Sequence, residues 1–279
     1  MTNTTTGKKG TLIAYFVLCI ALMWLAVGLG MLNLGIPTIL LSIFGSCVPT
    51  IVVIAVLGVT RDGAGLREVF GRFLRWRVGF RWYLVAISPV AVSLVAAGLY
   101  FLFGGEATPA DPEAPAFSVP SLLVMLLMGL LMGPLSEEAG WRGFALPRLQ
   151  SRYNALVSSL ILGLIWAVWH LPLWFVDTPQ ASMSFWLFST YLVFSTVVMT
   201  WAYNNSEGSL VLAVLFHLFA NFGNEVATSF LRVPLQVYLP IVAGLYVAYA
   251  VIVAVAAGPA HLSRTCERSM VQFRAEPAP

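Results

Sequence analysis

The chain has 279 residues, of which 59% are hydrophobic and 10% charged, with a mean hydropathy of +0.87 and a net charge of +3. A soluble domain carries about 25% charged residues, and here apolar stretches of about 20 residues recur along the whole length, which excludes a soluble enzyme and points to an all-α, polytopic membrane helix bundle. The cations are confined to particular loops, so the charge is no nucleic-acid signature, and the unpatterned Cys19, Cys47 and Cys266 form neither a disulfide framework nor a zinc cluster.

Eight spans are expected, at about 12–32, 37–59, 82–103, 119–141, 155–176, 184–203, 208–224 and 237–258. The first follows Lys8-Lys9 but is too long for a signal-peptide core and has no clear cleavage site, so it is read as a retained span. Pro49, Pro89, Pro134 and Pro172 fall inside spans, where neighbouring helices can satisfy the backbone groups they free. With the N-terminus in the cytoplasm, every Lys and Arg except Arg232 falls on the inner side, and the 104–118 loop carries Glu106, Asp111 and Glu113 without a cation. That asymmetry predicts cytoplasmic N- and C-termini and an even number of spans. Between spans two and three, residues 65–82 set Leu66, Val69, Phe70, Phe73 and Leu74 against Arg67, Arg72, Arg75 and Arg77, the pattern of a helix lying in the inner interface or, less simply, of a docking site for an anionic peptide.

The fourth span ends in Ser136-Glu137-Glu138-Ala139-Gly140-Trp141-Arg142. A charged side chain deep in hydrocarbon costs roughly 2.5–3.5 kcal/mol on insertion scales, so these groups need pairing, a wet cavity or a chemical role. Gly129 and Gly133 form a GxxxG pair, and Glu137 and Gly140 continue nearly the same face of an ideal helix, which carries Glu137 into a helix–helix contact. Glu138 has Arg142 one turn on, in the favourable acid-first order, whereas Arg142 lies roughly 140° around from Glu137. The spacing therefore predicts unequal carboxylates: Glu138 clamped by Arg142, Glu137 left available as a general acid or base. A plainer alternative leaves both solvated beyond the helix end.

The fifth span carries Trp166-Ala167-Val168-Trp169-His170, with Trp174 and Phe175 beyond, an arrangement that also suits an interfacial aromatic belt. The seventh carries His217, Asn221 and Asn224 on one helical stripe. An amide one turn from an imidazole can hold an oxyanion while the imidazole holds water or moves a proton, although a structural polar seam is the competing reading. Glu137, His170 and His217, from three helices, could also hold a divalent metal such as zinc. No HExxH or GxSxG element is present.

Depth constrains this grouping. At ~1.5 Å per residue, Glu137 lies some 27 Å below the start of its span, whereas His170 lies about 9 Å from the outer end of its own. The groups meet only if the fourth helix is long and tilted or the fifth begins later, and the expectation is that the fourth helix continues past Glu138 toward Leu146.

Taken together, Glu137-Glu138-x-x-x-Arg142, Trp166-x-x-x-His170 and His217-x-x-x-Asn221 resemble the three motifs of the CPBP family, the CAAX proteases and bacteriocin-processing enzymes also called Abi proteins. Each motif is weak alone; three in this order, each in an apolar run, are specific. The resemblance covers about 119–224 and departs at Trp166, where phenylalanine is usual and a conservative packing change is expected. It implies an intramembrane endopeptidase with Glu137 as base, His170, His217 and Asn221 holding water and oxyanion, and Glu138 and Arg142 in support, by a metal-dependent or a metal-free glutamate route. It also implies a peptide or membrane-associated protein substrate, which could be lipidated, no nucleic-acid partner, and residence as a multi-pass protein in a cell membrane, taken here to be a bacterial plasma membrane. The corresponding division is an N-terminal tail (1–11), a membrane domain (12–258) with its catalytic core at about 119–224, and a C-terminal tail (259–279). Two other classes fit the same polar groups: a non-catalytic bacteriocin-immunity or scaffold protein, and a proton-coupled transporter, against which the lack of an inverted repeat counts.

Overall fold

The structure, a computed structural model, describes residues 4–32, 34–109 and 118–263. Asp111, Glu113, Arg264, Cys266, Arg268 and Arg274 lie outside the described residues, as do the side chains of Lys8 and Lys9. The described residues form helices joined by turns, and eight helical segments are long and apolar enough to cross a membrane. These are Gly10–Met31, Ile39–Val59, Phe80–Leu102, Val119–Gln150, Ala155–Phe175, Phe185–Asn204, Leu210–Phe230 and Leu235–Ala257, a multi-pass membrane bundle.

In chain order the helices are α1 (Thr4–Met31), α2 (Thr38–Val59), α3 (Gly63–Gly71), α4 (Phe80–Leu102), α5 (Val119–Leu131), α6 (Pro134–Glu138), α7 (Leu146–Gln150), α8 (Ala155–His170), α9 (Phe185–Asn204), α10 (Leu210–Glu225) and α11 (Leu235–Ala257). Their starts follow the local chemistry: Ser118, Asn154, Ser184 and Ser209 each accept a hydrogen bond from the backbone N–H three residues on. The most extensively packed helix pairs are α4 with α10, α9 with α11, α8 with α9, and α1 with α2. At the α8–α9 crossing Gly163 has no room for a side chain, since a Cβ there would stand 2.7 Å from Val193 Cα. That close approach seats the next turn of α8, which carries Trp166, against the bundle interior. Other apolar side chains point the opposite way, with Leu84, Leu123, Leu164 and Val255 all exposed on what would be lipid-facing surface.

The fourth span does run past Glu138, to Gln150, but as a broken helix. Proline at the first position of α6 cannot supply a helical N–H and forces Gly133 out of the helical region, so α5 stops and α6 restarts. A π-helical turn, Ala139–Ala145, then joins α6 to α7. The break and the wide turn shift the phase, and Gly140 does not share the Glu137 face as an ideal helix predicts. It packs instead against Tyr15 of α1 and Pro49 of α2.

The α2–α4 connection is also more deeply seated than an amphipathic pattern suggests. Arg72 is buried, bonds Glu68 at 2.7 Å and lies over the Tyr203 ring, while Arg75 donates to the carbonyl of Glu207 in the α9–α10 turn. Leu74, Trp76 and Phe80 stay exposed among Arg75, Arg77 and Arg81, as an interfacial segment requires. Residues beyond α11 fold back on the same end: Ala155 donates to the carbonyl of Ala260, and Asn205 Nδ2 to that of Leu262.

Candidate active site

The site is assembled from α6 with its π-helical extension, α8 and α10, with α9 as a wall. Glu137 and Glu138 are both buried, yet their surroundings differ. Glu138 Oε1 accepts from Arg142 Nη1 at 3.1 Å and from His217 Nδ1 at 2.8 Å, and neither Glu138 nor Arg142 has any exposed side-chain surface. Arg142 Nη2 reaches Thr196 Oγ1 of α9 at 3.3 Å, and its guanidinium stacks 4.5 Å from the centroid of Trp166. The expected clamp on Glu138 is present. Its second arm, His217, is 79 residues away in sequence and was not foreseeable from spacing along one helix.

Glu137 makes no ion pair among the described residues. Its Oε2 accepts two indole N–H bonds, from Trp141 at 3.2 Å and Trp166 at 2.9 Å. The Trp166 position is therefore more than a packing site. Phenylalanine there would fill space, whereas tryptophan also donates to the carboxylate. Trp166 is the hub of the site: its ring lies 5.8 Å from that of His170 and 5.0 Å from that of His217, in addition to its contacts with Glu137 and Arg142. Trp166 and Trp169 are buried and so take no part in an interfacial belt, although Phe175 is exposed.

Both histidines have one nitrogen committed. A carboxylate or a carbonyl oxygen only accepts, so the proton sits on Nδ1 in each case: His217 Nδ1–H donates to Glu138, and His170 Nδ1–H donates to the Trp166 carbonyl at 2.8 Å. Each Nε2 is then a lone pair able to accept from water. Trp169 and Phe188 flank the His170 ring at 4.6 and 5.4 Å.

Gly133 marks where the groups converge. A Cβ built on it would lie 3.4 Å from Glu137 Oε1 and 3.9 Å from both Asn221 Nδ2 and His217 Cε1. Glu137, His217 and Asn221 thus border one small volume, with His170 reached through Trp166. Asn224 is not part of it. Its amide donates to Tyr191 at 3.1 Å and its carbonyl accepts from Tyr238 at 2.7 Å, on the side of α10 that meets α9 and α11.

As a metal site the fit is poor: among the described residues no three His, Cys, Asp or Glu side chains stand together in a way that could hold one ion. Glu137, His170 and His217 do not form such a set in this arrangement.

Beside Asn221 an apolar cleft of about 310 Å³ runs between α5 and α10. A second, of about 480 Å³, lies across Phe222 and is lined wholly by Val90, Leu94, Leu122, Phe222, Val226 and Phe230.

Comparison with known proteins converges on the same segment. Residues 119–223 match a family model described as type II CAAX prenyl endopeptidase Rce1-like. The CAAX prenyl protease 2 of Methanococcus maripaludis is 32% identical over 143 residues, which is 49% of this chain and 52% of the relative. The chain thus spans about half the length of the curated relative it matches. All three polar motifs fall inside the segment matched by the family model, so over that core the chain is similar to the type II CAAX prenyl endopeptidases.

Proposed function

We propose that this protein is an intramembrane endopeptidase that hydrolyses a peptide bond by activating water with Glu137. The observation that carries the reading is the convergence of Glu137 Oε1, Asn221 Nδ2 and the His217 ring around the Gly133 backbone. In this reading a water sits between Glu137 Oε1 and the imidazole Nε2 atoms. Glu137 takes one of its protons as the oxygen attacks the scissile carbonyl, and Asn221 Nδ2–H steadies the oxyanion. The proton then passes to the leaving amine, from Glu137 or through His217, whose imidazolium form Glu138 would stabilise. The two indole N–H groups hold Glu137 Oε2 and leave Oε1 to act. Glu138 and Arg142 position His217 without touching the substrate.

The substrate class follows from the bundle and the relative's name. A membrane-associated, prenylated protein or peptide would place its lipid in the wholly apolar cleft beyond Phe222 and its scissile bond near Gly133. The same reading puts the arginine-rich end of the bundle in the cytoplasm.

The test is cleavage by the purified protein in liposomes, using prenylated CaaX peptides and short secreted-peptide precursors, with and without a chelator. Cleavage of the prenylated set that survives chelation supports the glutamate route, and cleavage abolished by chelation and restored by zinc moves the chemistry to a metal. Tight binding with no cleavage of either set would instead favour the non-catalytic scaffold.

A further inference from the structure

The cleft beside Asn221 is apolar except at its two ends. On α10 it is lined by Leu218, Asn221, Phe222 and Glu225, spaced at i, i+3, i+4 and i+7, and α5 supplies Met125, Met128 and Gly129 opposite, with Met132 just past its end. Asn221 is the end that opens on the site. Glu225 is the other, and it is the one charged residue among those lining the cleft. Its side chain makes no hydrogen bond or ion pair among the described residues, in contrast to Glu138. At ~1.5 Å per residue it stands roughly 22 Å above the Leu210 end of α10 and about 8 Å short of the Phe230 end of the span, still within it. An uncompensated carboxylate on the membrane-facing side of a helix is costly, and is a functional-site hypothesis by default.

We propose that Glu225 recognises a cation on the substrate, so that this cleft is a peptide subsite for a lysine or arginine side chain near the scissile bond. This rests on the peptidase reading above. The chemistry of the lining selects the occupant. Methionine walls adapt to a flexible aliphatic stem, and a carboxylate at the far end suits the ammonium or guanidinium that such a stem carries. A phosphate headgroup would be repelled by Glu225, and a divalent cation would find a single carboxylate and an amide. One helical turn separates Asn221 from Glu225, about 6 Å of axial rise, which an extended peptide covers in about two residues. The cation is therefore expected within two residues of the scissile carbonyl.

The test uses farnesylated peptides in which lysine, norleucine or glutamate replaces, in turn, each residue within three of the cleaved bond. Binding is measured by fluorescence anisotropy on the liposome-reconstituted Glu137→Gln protein, and turnover on the protein with Glu137 intact. At the responsive position lysine should bind about tenfold tighter than norleucine. In the added presence of Glu225→Gln the preference should vanish while norleucine affinity stays unchanged, and Glu225→Lys should invert it in favour of glutamate. Equal binding of lysine and norleucine at every position, or a lysine preference that survives Glu225→Lys, overturns the proposal. A Glu225-dependent lysine preference with no turnover of any peptide would support the subsite and sink the peptidase reading alone.

Discussion

Helix α10 carries two clusters of polar side chains, and they do opposite things with their atoms. Around His217 and Asn221 several groups are titratable, and part of the set is uncommitted: Glu137 Oε1, the His217 ring and Asn221 Nδ2 border a shared volume next to an open cleft. Around Asn224 every partner is neutral. The Tyr238 hydroxyl donates to Asn224 Oδ1 and bonds Ser93 Oγ, which can donate to it in turn, and Asn224 Nδ2 donates to Tyr191, tying α4, α9, α10 and α11 together. The second cluster uses up its hydrogen-bonding capacity on the protein, which is what membrane helices use to hold one another. The first leaves capacity over for something else. Polar residues inside a membrane bundle are thus sorted by what remains unsatisfied, and the number of such residues on a helix face says little.

The sharpest way to break that contrast is at Glu137. Glu137→Gln keeps the shape and an oxygen for the indole bonds but removes the base, and turnover should fall by about 10²–10⁴-fold. The thermal transition in detergent should stay within a few degrees of the parent. Retained turnover would remove Glu137 from the chemistry. Asn221→Ala comes next. Losing one oxyanion donor costs about 10²–10³ in kcat, with KM for a reference peptide little changed. Equal losses in kcat and in ground-state binding would make Asn221 a binding residue only.

Much of this arrangement can be read from the chain, and the rest depends on contacts that no local pattern encodes. The spans follow from apolar run lengths, and the Glu138–Arg142 pair follows from spacing within one helix. A fourth helix running past Glu138 is one way for Glu137 and His170 to approach one another, and the span does reach Gln150. Three features escape such reasoning. The π-helical turn at Ala139–Ala145 sends Gly140 toward α1 and α2 because it is wider than the 3.6-residue turn assumed. The His217–Glu138 bond joins helices far apart in sequence. Asn224 shares the stripe of His217 on an ideal helix but lies about 10 Å further along the axis, where α10 has different neighbours.

Trp166 refines the comparison at a smaller scale. Trp166→Phe retains most of the ring packing against both histidines and Arg142 but deletes the 2.9 Å bond to Glu137 Oε2. A hydrogen bond to a charged group is worth about 1.5–3 kcal/mol, so kcat should drop by roughly tenfold or somewhat more. Because Trp141 still holds the same oxygen, the loss should stay well below that of Glu137→Gln. An unchanged kcat would mean that a single indole suffices to orient the carboxylate.

Asn224 supplies the counterpart, with the smallest expected effect on turnover and a real one on the fold. Asn224→Ala strands the hydroxyl of Tyr191 and leaves those of Tyr238 and Ser93 with only each other. Each buried polar group left unsatisfied costs about 1–3 kcal/mol, so unfolding should occur at clearly lower temperature or denaturant. Adding Tyr191→Phe to Asn224→Ala removes the stranded hydroxyl and should recover part of that loss, because the penalty lies in the unpaired group as well as in the missing bond. Turnover per folded molecule should stay within a few-fold of the parent, since none of these atoms reaches the volume beside Gly133. Should Asn224→Ala instead abolish kcat in a protein of unaltered stability, the division between a spent cluster and a reactive one would fail. The two would then have to be treated as one network running along α10.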